Sequence, residues 1–208
     1  PIEFLDSLTA ILVTIVIFLI VVWAQSLKVE IPLSYGRIRG YGVKWPLSFF
    51  YSSVIPVIFA AALIANIQLF GVMFENWLGH ATLLGHFVDG QAVSGLGFWL
   101  GSTDIRMLWV RGGFLPIYII QSISHILFYA ILCTVFSVFW VKTSGMDAKA
   151  QAKNIAGSGL QVAGFRQDIR ILESILNRYI MPLTIMGGAA IGLLAGLLPL
   201  AAMLSFFP

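Results

Sequence analysis

The 208-residue chain contains few charged side chains and one cysteine. Charged residues make up 10% of the sequence and hydrophobic residues 59%, and the mean hydropathy is +0.95. So few polar groups could not cover the surface of a soluble domain of this length. The single cysteine, Cys133, excludes an intramolecular disulfide framework and a cysteine metal cluster. These absences exclude a soluble protein and a disulfide-rich domain, and they indicate an integral membrane protein.

Features of a membrane enzyme are also missing from the sequence. The zinc-protease pattern HExxH does not occur, and the nine acidic residues lie outside the predicted membrane spans or at their edges. Metal and acid–base catalysis both depend on such groups. His80 and His86 lie in a predicted outer loop without companion ligands. We therefore predict no catalytic residue, no metal site and no cofactor.

Long apolar runs, by contrast, are abundant. A membrane-spanning helix needs about 20 apolar residues, and four segments meet this requirement, at residues 5–24, 45–70, 113–141 and 179–200. The predicted fold class is therefore all-α, a polytopic membrane protein with four transmembrane helices. Because the chain opens at Pro1 instead of Met, we expect it to be part of a longer polypeptide.

Prolines and glycines indicate where the predicted spans are irregular or closely packed. Pro56 falls in the middle of the segment at residues 45–70, where it would leave a carbonyl without its helical donor. We therefore expect function beside that helix. Pro182 falls in the first turn of the last segment, where a missing N–H costs little. Three glycines four residues apart predict a ridge for close helix packing in the same segment: Gly188, Gly192 and Gly196.

Positive charge is concentrated in two of the three predicted loops. Ten of the twelve Lys and Arg residues lie at residues 25–44 and 142–178, so the positive-inside bias predicts that both loops are cytoplasmic and both chain ends external. Alternating residues and glycines in the first loop predict a β-hairpin, and the second loop is expected to be helical near residues 147–156 and 167–177. The remaining loop, at residues 71–112, is predicted to be external, with a short interfacial helix.

His125 is the one ionisable side chain deep inside a predicted span, and such residues are functional candidates by default. One interpretation is a neutral histidine hydrogen-bonded to an adjacent helix. The other is a proton-linked site in half of a secondary transporter, which the expected break at Pro56 also favours. Catalysis with the neighbouring Ser122 or Ser124 would need a geometry that sequence neighbours on one helix rarely supply.

Three further features allow two interpretations each. Asn66 and Gln68, near the predicted outer end of the second span, could serve packing or gating. An aliphatic stripe containing Ile55 and Ile58 is typical of a lipid-facing or core surface. The basic loops could be a topology signal that attracts anionic headgroups, or a docking surface for a phosphate backbone or an acidic protein.

Several long segments resemble the SecY family of protein-conducting channels, in its archaeal and eukaryotic branch. They are IPLSYGRIRG, WPLSFFYSSVIPVIFAAALIANIQ, GFRQDIRILESILNRYI and GGAAIGLLAG. They occur in the family's order, cover nearly the whole chain and match the sixth to ninth transmembrane helices. The resemblance implies that the four spans form most of one half of an inverted-repeat clamshell, with a pore closed by aliphatic side chains and a lateral gate to lipid.

The resemblance also implies roles for the ambiguous residues. Ile55 and Ile58 are expected in the pore ring, where an aliphatic constriction slows ions because it offers no replacement for their hydration water. Asn66 and Gln68 are expected at the lateral gate. The implied function is a channel subunit that passes secretory polypeptides across the membrane and membrane-protein helices laterally into it.

Partners follow from the same resemblance. The basic loops are expected to dock the ribosome through rRNA phosphates, for which the planar guanidinium of arginine is well suited. The residues expected to make these contacts are Arg37, Arg39, Lys44, Arg166 and Arg170. The other partners implied are SecE-type and SecG/Sec-beta-type small membrane subunits, signal sequences, nascent polypeptides and the lipid bilayer, with an archaeal plasma membrane as the expected location.

One position and one stretch of the sequence depart from the family's pattern. Val54 stands where the family commonly has an asparagine directly before IPVI, so a polar role at that position is not expected. The C-terminal stretch LLPLAAMLSFFP does not resemble the family's approach to its tenth helix. Because that helix and the first five, with the plug, are not in the sequence, we expect that this chain alone could not form a sealed pore.

Overall fold

A computed structural model of the chain describes residues 2–35, 42–52, 54–88, 91–102, 116–162 and 168–201. The helices are α1 (Ile2–Ser26), α2 (Ile55–Leu78), α3 (Leu96–Leu100), α4 (Pro116–Thr143), α5 (Ala148–Gly157) and α6 (Ile169–Ala201). The strands are β1 (Lys28–Tyr35), β2 (Gly42–Ser48), β3 (His86–Val88), β4 (Gln91–Ser94) and β5 (Leu160–Val162).

Helices α2, α4 and α6 each contain a stretch that is long and apolar enough to cross a membrane, by length and composition. Helix α1 is 25 residues long, and its shorter apolar stretch within the described side chains runs Thr14–Ser26. A helix lies at each predicted span, so the predicted class of a polytopic helical membrane protein is confirmed. The structure also contains two small antiparallel sheets.

The predicted start of the second span at residue 45 is wrong, because α2 begins at Ile55. Trp45 lies in β2, where buried or half-buried side chains alternate with exposed ones. The apolar residues of this strand run into those of the helix, so hydrophobicity alone did not mark the boundary. Pro56 therefore lies in the first turn of α2, where its missing N–H has no helical acceptor to lose. The expected break in mid-helix is wrong for the same reason.

The predicted position of Pro182 in a first turn is also wrong, since α6 begins at Ile169. Charged residues before residue 179 gave this stretch the composition of a loop. It is helical because Leu172 and Leu176, four residues apart, are both buried on one face. The last predicted span is thus the second part of a longer helix.

Helix α2 continues to Leu78, so residues 71–78 of the predicted external loop are helical. Asn66 therefore lies in mid-helix, and its predicted position near the outer end is wrong. Gly79 ends the helix in a left-handed conformation, φ 71°, and its N–H donates to the Glu75 carbonyl at 2.9 Å. The β3–β4 hairpin follows, and α3 takes the place of the short helix expected in this loop.

A three-stranded antiparallel sheet joins the two basic loops, with strand order β2-β1-β5. The predicted hairpin is confirmed by β1 and β2, which pair as far as Ser34↔Gly42. Strand β5 comes from the second basic loop and pairs with β1 at Leu33↔Val162. The two loops therefore form one structural unit at the same end of the helices.

A hydrophobic core lies between this sheet, α5 and the first half of α6. Among its buried residues are Ile31, Leu33, Leu47, Ala152, Ile155, Leu160, Leu172, Leu176 and Ile180. The Tyr51 hydroxyl donates to the Met146 carbonyl at 2.7 Å, which fixes the turn after β2 to the start of the second basic loop. Burial, and then the nearby charge of Asp147, raises the pKa of Tyr51 to about 12. The hydroxyl therefore keeps its proton and this hydrogen bond throughout the neutral range.

Glycines bring α4 and α6 into close contact. A Cβ built on Gly192 would lie 2.7 Å from the Ala130 Cα, and one built on Gly188 would lie 2.7 Å from the Ser137 Cβ. Real Cβ atoms essentially never approach so closely, so only glycine allows this helix spacing. The third glycine of the ridge, Gly196, faces α4 in the same way. The predicted packing ridge is confirmed.

Candidate functional site

The first turns of α2 present two isoleucines three residues apart, which places them side by side on a helix. Ile55 is half-buried, whereas Ile58 is 62% exposed. Ile58 lines a groove of about 570 Å³ between α1, α2 and α6. The groove is lined by apolar residues apart from Gln25 and Ser48. The structure therefore brings Ile58 to an open, aliphatic surface.

Helix α2 packs against α4 along one of its sides. Ala60 and Ile64 pack against Tyr129 and Cys133, and the Tyr129 hydroxyl donates to the Val57 carbonyl at 3.2 Å. Elsewhere α2 exposes large apolar side chains: Ile58, Phe59, Leu63, Leu69, Phe70 and Met73. An apolar helix surface of this kind is available to lipid or to another part of a longer protein.

Two buried serine hydroxyls and the backbone carbonyl of a buried threonine hold the turn before α2 in place, and none of these residues was predicted as a site residue. Ser52, Ser137 and Thr184 are each 0% exposed. The Ser137 Oγ lies 2.5 Å from the Ser52 Oγ and 3.0 Å from the Thr184 carbonyl oxygen. Because a carbonyl can only accept, Ser137 donates to Thr184 and accepts from Ser52. Hydroxyl residues in apolar helices often bond to their own backbone, so the sequence gives no signal that these three cooperate.

The two polar residues predicted at the gate lie on different sides of α2. Asn66 is exposed, and its Nδ2 donates to the Ala62 carbonyl of the same helix at 2.8 Å. Gln68 is half-buried beside Gly101, where an added Cβ would lie 3.3 Å from the Gln68 Nε2. Residues two positions apart on a helix are separated by about 200°. The structure therefore does not bring the two amides together.

His125 and Gln121 hold the end of α3 against α4. The His125 Nδ1 lies 2.7 Å from the Leu100 carbonyl oxygen, and the Gln121 Nε2 donates to the Phe98 carbonyl at 2.7 Å. Carbonyls in the last turn of a helix lack helical donors, so these side chains satisfy them. His125 is buried, and its contact agrees with the interpretation of a histidine hydrogen-bonded to an adjacent helix.

The Glu75 carboxylate connects α2 to the β3–β4 hairpin. One oxygen contacts the His86 Nδ1, and the other accepts the Phe87 N–H at 2.7 Å. No group of three His, Cys, Asp or Glu that could hold a metal ion occurs among the described residues. In the structure, His86 serves as a hydrogen-bond partner for Glu75.

Two predicted docking residues fall within the described part of the chain. The Lys44 Nζ lies 2.6 Å from a Glu30 carboxylate oxygen, and this hydrogen bond, with the charge of Glu30, raises the pKa of Lys44. Arg170 has an exposed side chain at the start of α6, and its backbone N–H donates to the Asp168 carboxylate at 2.9 Å. The other three lie outside the described residues: Arg37, Arg39 and Arg166.

The SecY family model matches residues 3–207 of the chain. The chain belongs to the SecY family. Similar SecY relatives include the protein translocase subunit SecY of Methanocaldococcus jannaschii, 42% identical over 191 residues that cover 92% of this chain and 42% of that protein. The protein of the same name from Haloferax volcanii is 39% identical over 197 residues, which cover 91% of this chain and 40% of that protein.

Solved structures of SecY type share the fold. A SecY structure whose plug domain is described as stabilising the closed translocation channel matches with a TM-score of 0.73 and 36% identity, over 96% of this chain and 48% of that one. A structure described as a protein-conducting channel matches with a TM-score of 0.71 and 35% identity, over the same shares. The chain spans about two fifths of the length of the curated relatives it matches. The family resemblance is confirmed, and the half-transporter alternative is not supported.

Proposed function

We propose that this chain is part of the channel subunit of a protein translocase, which passes secretory polypeptides across the membrane and membrane-protein helices laterally into it. Its relatives carry the name protein translocase subunit SecY. The observation in this chain that carries the proposal is Ile58, an exposed aliphatic side chain on an apolar groove at the start of α2. Such a surface is suited to form one side of a constriction with another part of a longer protein.

In this proposal the constriction works without covalent chemistry. Ile55 and Ile58 give a ring of aliphatic side chains that can fit around a moving chain. Ions gain nothing there in exchange for their hydration water, so their passage is slow. Asn66, exposed in mid-helix, is the residue of the proposed lateral gate, whereas Gln68 packs beside Gly101 and would act only by positioning that region.

The sheet-bearing end of the molecule is the proposed docking surface for a ribosome. Pairing of β1 with both β2 and β5 supports this, because it combines the two basic loops into one surface. The proposed phosphate contacts are Arg37, Arg39, Lys44, Arg166 and Arg170, with Lys44 weakened by its pairing to Glu30. The proposal includes SecE-type and SecG/Sec-beta-type subunits, cytoplasmic basic loops, external chain ends and an archaeal plasma membrane.

Cysteine cross-linking tests the proposed path of the polypeptide. In the full-length protein, Ile58→Cys should cross-link to a single-cysteine secretory polypeptide stalled during translocation. Ile123→Cys is the matched control, because Ile123 is 60% exposed on α4. The native Cys133 is fully buried, so the protein without an added cysteine gives the background level of cross-linking. Equal cross-linking at both positions, or none at position 58, would contradict the proposal.

A further inference from the structure

One stripe of α2 faces the β3–β4 hairpin and α3, which together we call the bracket. The stripe consists of Gln68, Gly71 and Glu75, whose spacing of three and four residues places them on one face of the helix. Gln68 lies beside Gly101, at the end of α3. Gly71 and Glu75 contact residues of β3. The bracket therefore lies against the second half of α2, away from the turn that joins this helix to β2.

The Phe87 ring fills the contact between this stripe and the bracket. A Cβ built on Gly71 would lie 2.5 Å from two carbon atoms of the ring, and a Cβ built on Gly97 of α3 would lie 3.0 Å from it. A Cβ built on Gly85, just before β3, would lie 3.3 Å from the ring. All three glycines are buried. The ring therefore lies directly on the backbone of both helices, where a larger residue than glycine would displace it.

The Glu75 carboxylate holds the backbone of Phe87 in the same place. One oxygen is hydrogen-bonded to the His86 Nδ1, and the other accepts the Phe87 N–H at 2.7 Å. The Glu75 side chain is 15% exposed, so without these donors the carboxylate would be poorly solvated. Strand β3 is thus tied to α2 at two points, Gly71 and Glu75, which are about one helical turn apart.

The other end of the bracket is fixed to α4. Strands β3 and β4 pair with each other, and α3 follows β4. The Gln121 Nε2 donates to the Phe98 carbonyl at 2.7 Å, and the His125 Nδ1 lies 2.7 Å from the Leu100 carbonyl oxygen. The rings of Phe98 and Tyr118 also pack, with their centroids 6.3 Å apart. The bracket therefore links α2 to α4.

The direct packing between α2 and α4 lies in the first half of α2. The α2 residues buried in this contact are Ala60 and Ile64. The next buried residue along the helix is Gly71, and it is covered by the Phe87 ring. The second half of α2 is thus attached to α4 through the bracket.

We propose that Phe87 and Glu75 are positioning residues for the proposed lateral gate. They fix the second half of α2 to α4 and so hold in place the exposed helix face that carries Asn66. Helix α2 then moves together with α4 when the gate opens. The consequence at the gate rests on the proposed function, whereas the coupling of α2 to α4 rests on the contacts described above.

The coupling can be measured as a distance between two spin labels by pulsed electron paramagnetic resonance. Met73→Cys and Ile120→Cys place one label on α2 and one on α4, at residues that are 52% and 55% exposed. The protein is the full-length chain with its small subunits in lipid nanodiscs, in a background without other reactive cysteines. It is measured at rest and with a stalled secretory polypeptide.

Two variants open the bracket from opposite sides. Phe87→Ala removes the ring, whereas Gly71→Leu keeps the ring and displaces it from α2. Because leucine favours a helix more than glycine does, Gly71→Leu cannot act by weakening the helix. Phe74→Ala is the matched control, since Phe74 is on the same helix and is 37% exposed.

We expect one narrow distance distribution in the unmodified protein and in Phe74→Ala, unchanged by the stalled polypeptide. Phe87→Ala and Gly71→Leu should broaden the distribution and shift it to longer distances. Both variants should also raise the open fraction in single-channel recording, because the gate face is no longer held in its resting position.

Three results would overturn the proposal. The first is a longer distance in the unmodified protein when the polypeptide is present, because α2 would then move away from α4. The second is an unchanged distance in both bracket variants, and the third is a shifted distance with an unchanged open fraction. The expected distances together with a failed Ile58 cross-link would count against the proposed function and would still support the coupling of α2 to α4.

Discussion

Helix α2 and the α4–α6 pair are all long and apolar, but they pack in different ways. Of the most apolar stretch of α2, 17% is buried within the chain, compared with 39% in α6. Glycines on α6 lie directly against the α4 backbone, whereas the buried residues of α2 are limited to Pro56, Ala60, Ile64 and Gly71. Hydrophobicity therefore does not distinguish a helix that packs within the chain from a helix whose surface is open to a partner. The placement of small residues distinguishes the two.

This difference in packing indicates different roles for the two regions. The α4–α6 pair is a fixed frame, because its helices can approach only where glycine leaves room. Helix α2 is held by the turn before it and by the side that packs against α4. The face that carries Ile58 and Asn66 is left exposed.

The largest effect is expected from filling the contact between α4 and α6. Gly192→Val would place a Cβ 2.7 Å from the Ala130 Cα, and only separation of the helices relieves a clash with backbone. We expect a loss of about 3 kcal/mol in the free energy of unfolding, measured by chemical unfolding in mixed micelles. Gly157→Ala is the control, because a Cβ there would meet nothing within 4 Å. A Gly192→Val variant as stable as the control would show that the helices are not closely packed.

A smaller loss is expected at the buried hydroxyl cluster. Ser137→Val leaves the Ser52 hydroxyl and the Thr184 carbonyl without this partner in a buried site, which costs roughly 1–3 kcal/mol. Thr143→Val is the control on the same helix, since Thr143 is exposed and its hydroxyl bonds only to nearby carbonyls of α4. Equal stabilities for the two variants would mean that the cluster does not fix the start of α2.

The smallest effect is expected on the open face of α2. Asn66→Leu should leave thermal stability nearly unchanged, because the Asn66 amide donates only within its own helix. If Asn66 contacts the gate, a bond of about 0.6 kcal/mol is lost, which shifts the open fraction of the full-length channel roughly threefold. Single-channel recording measures that fraction, with Asn154→Leu on α5 as the control. An open fraction that matches the control would remove Asn66 from the gate.

Parts of the fold that depend on spacing along one segment were predictable from the sequence. The ridge of Gly188 and Gly192 could be recognised because residues four apart always share a helix face. The β1–β2 hairpin followed from alternation and glycines within a short stretch. The pairing of β1 with β5 could not be predicted, because it joins residues that are far apart in sequence, such as Leu33 and Val162.

The candidate site likewise has features that the sequence predicted and features that it did not. Ile58 and Asn66 were reached through a sequence resemblance, and their exposure agrees with the proposed roles without testing them. The partner of His125 lies at Leu100, 25 residues away, and no local pattern reveals it. The proximity of Lys142, Lys149 and Arg170 was not predicted either, since they line one cavity only because three helices pack together.

The central claim is that the open face of α2 closes a pore. The most direct test is the ion conductance of the resting full-length channel in a planar bilayer. Ile58→Gly should raise this conductance, because the aliphatic barrier to hydrated ions is removed. Val135→Gly is the matched control, since Val135 is 58% exposed on α4 and carries the same helix cost of about 1 kcal/mol for glycine. A conductance for Ile58→Gly equal to that of Val135→Gly and of the unmodified channel would contradict the account.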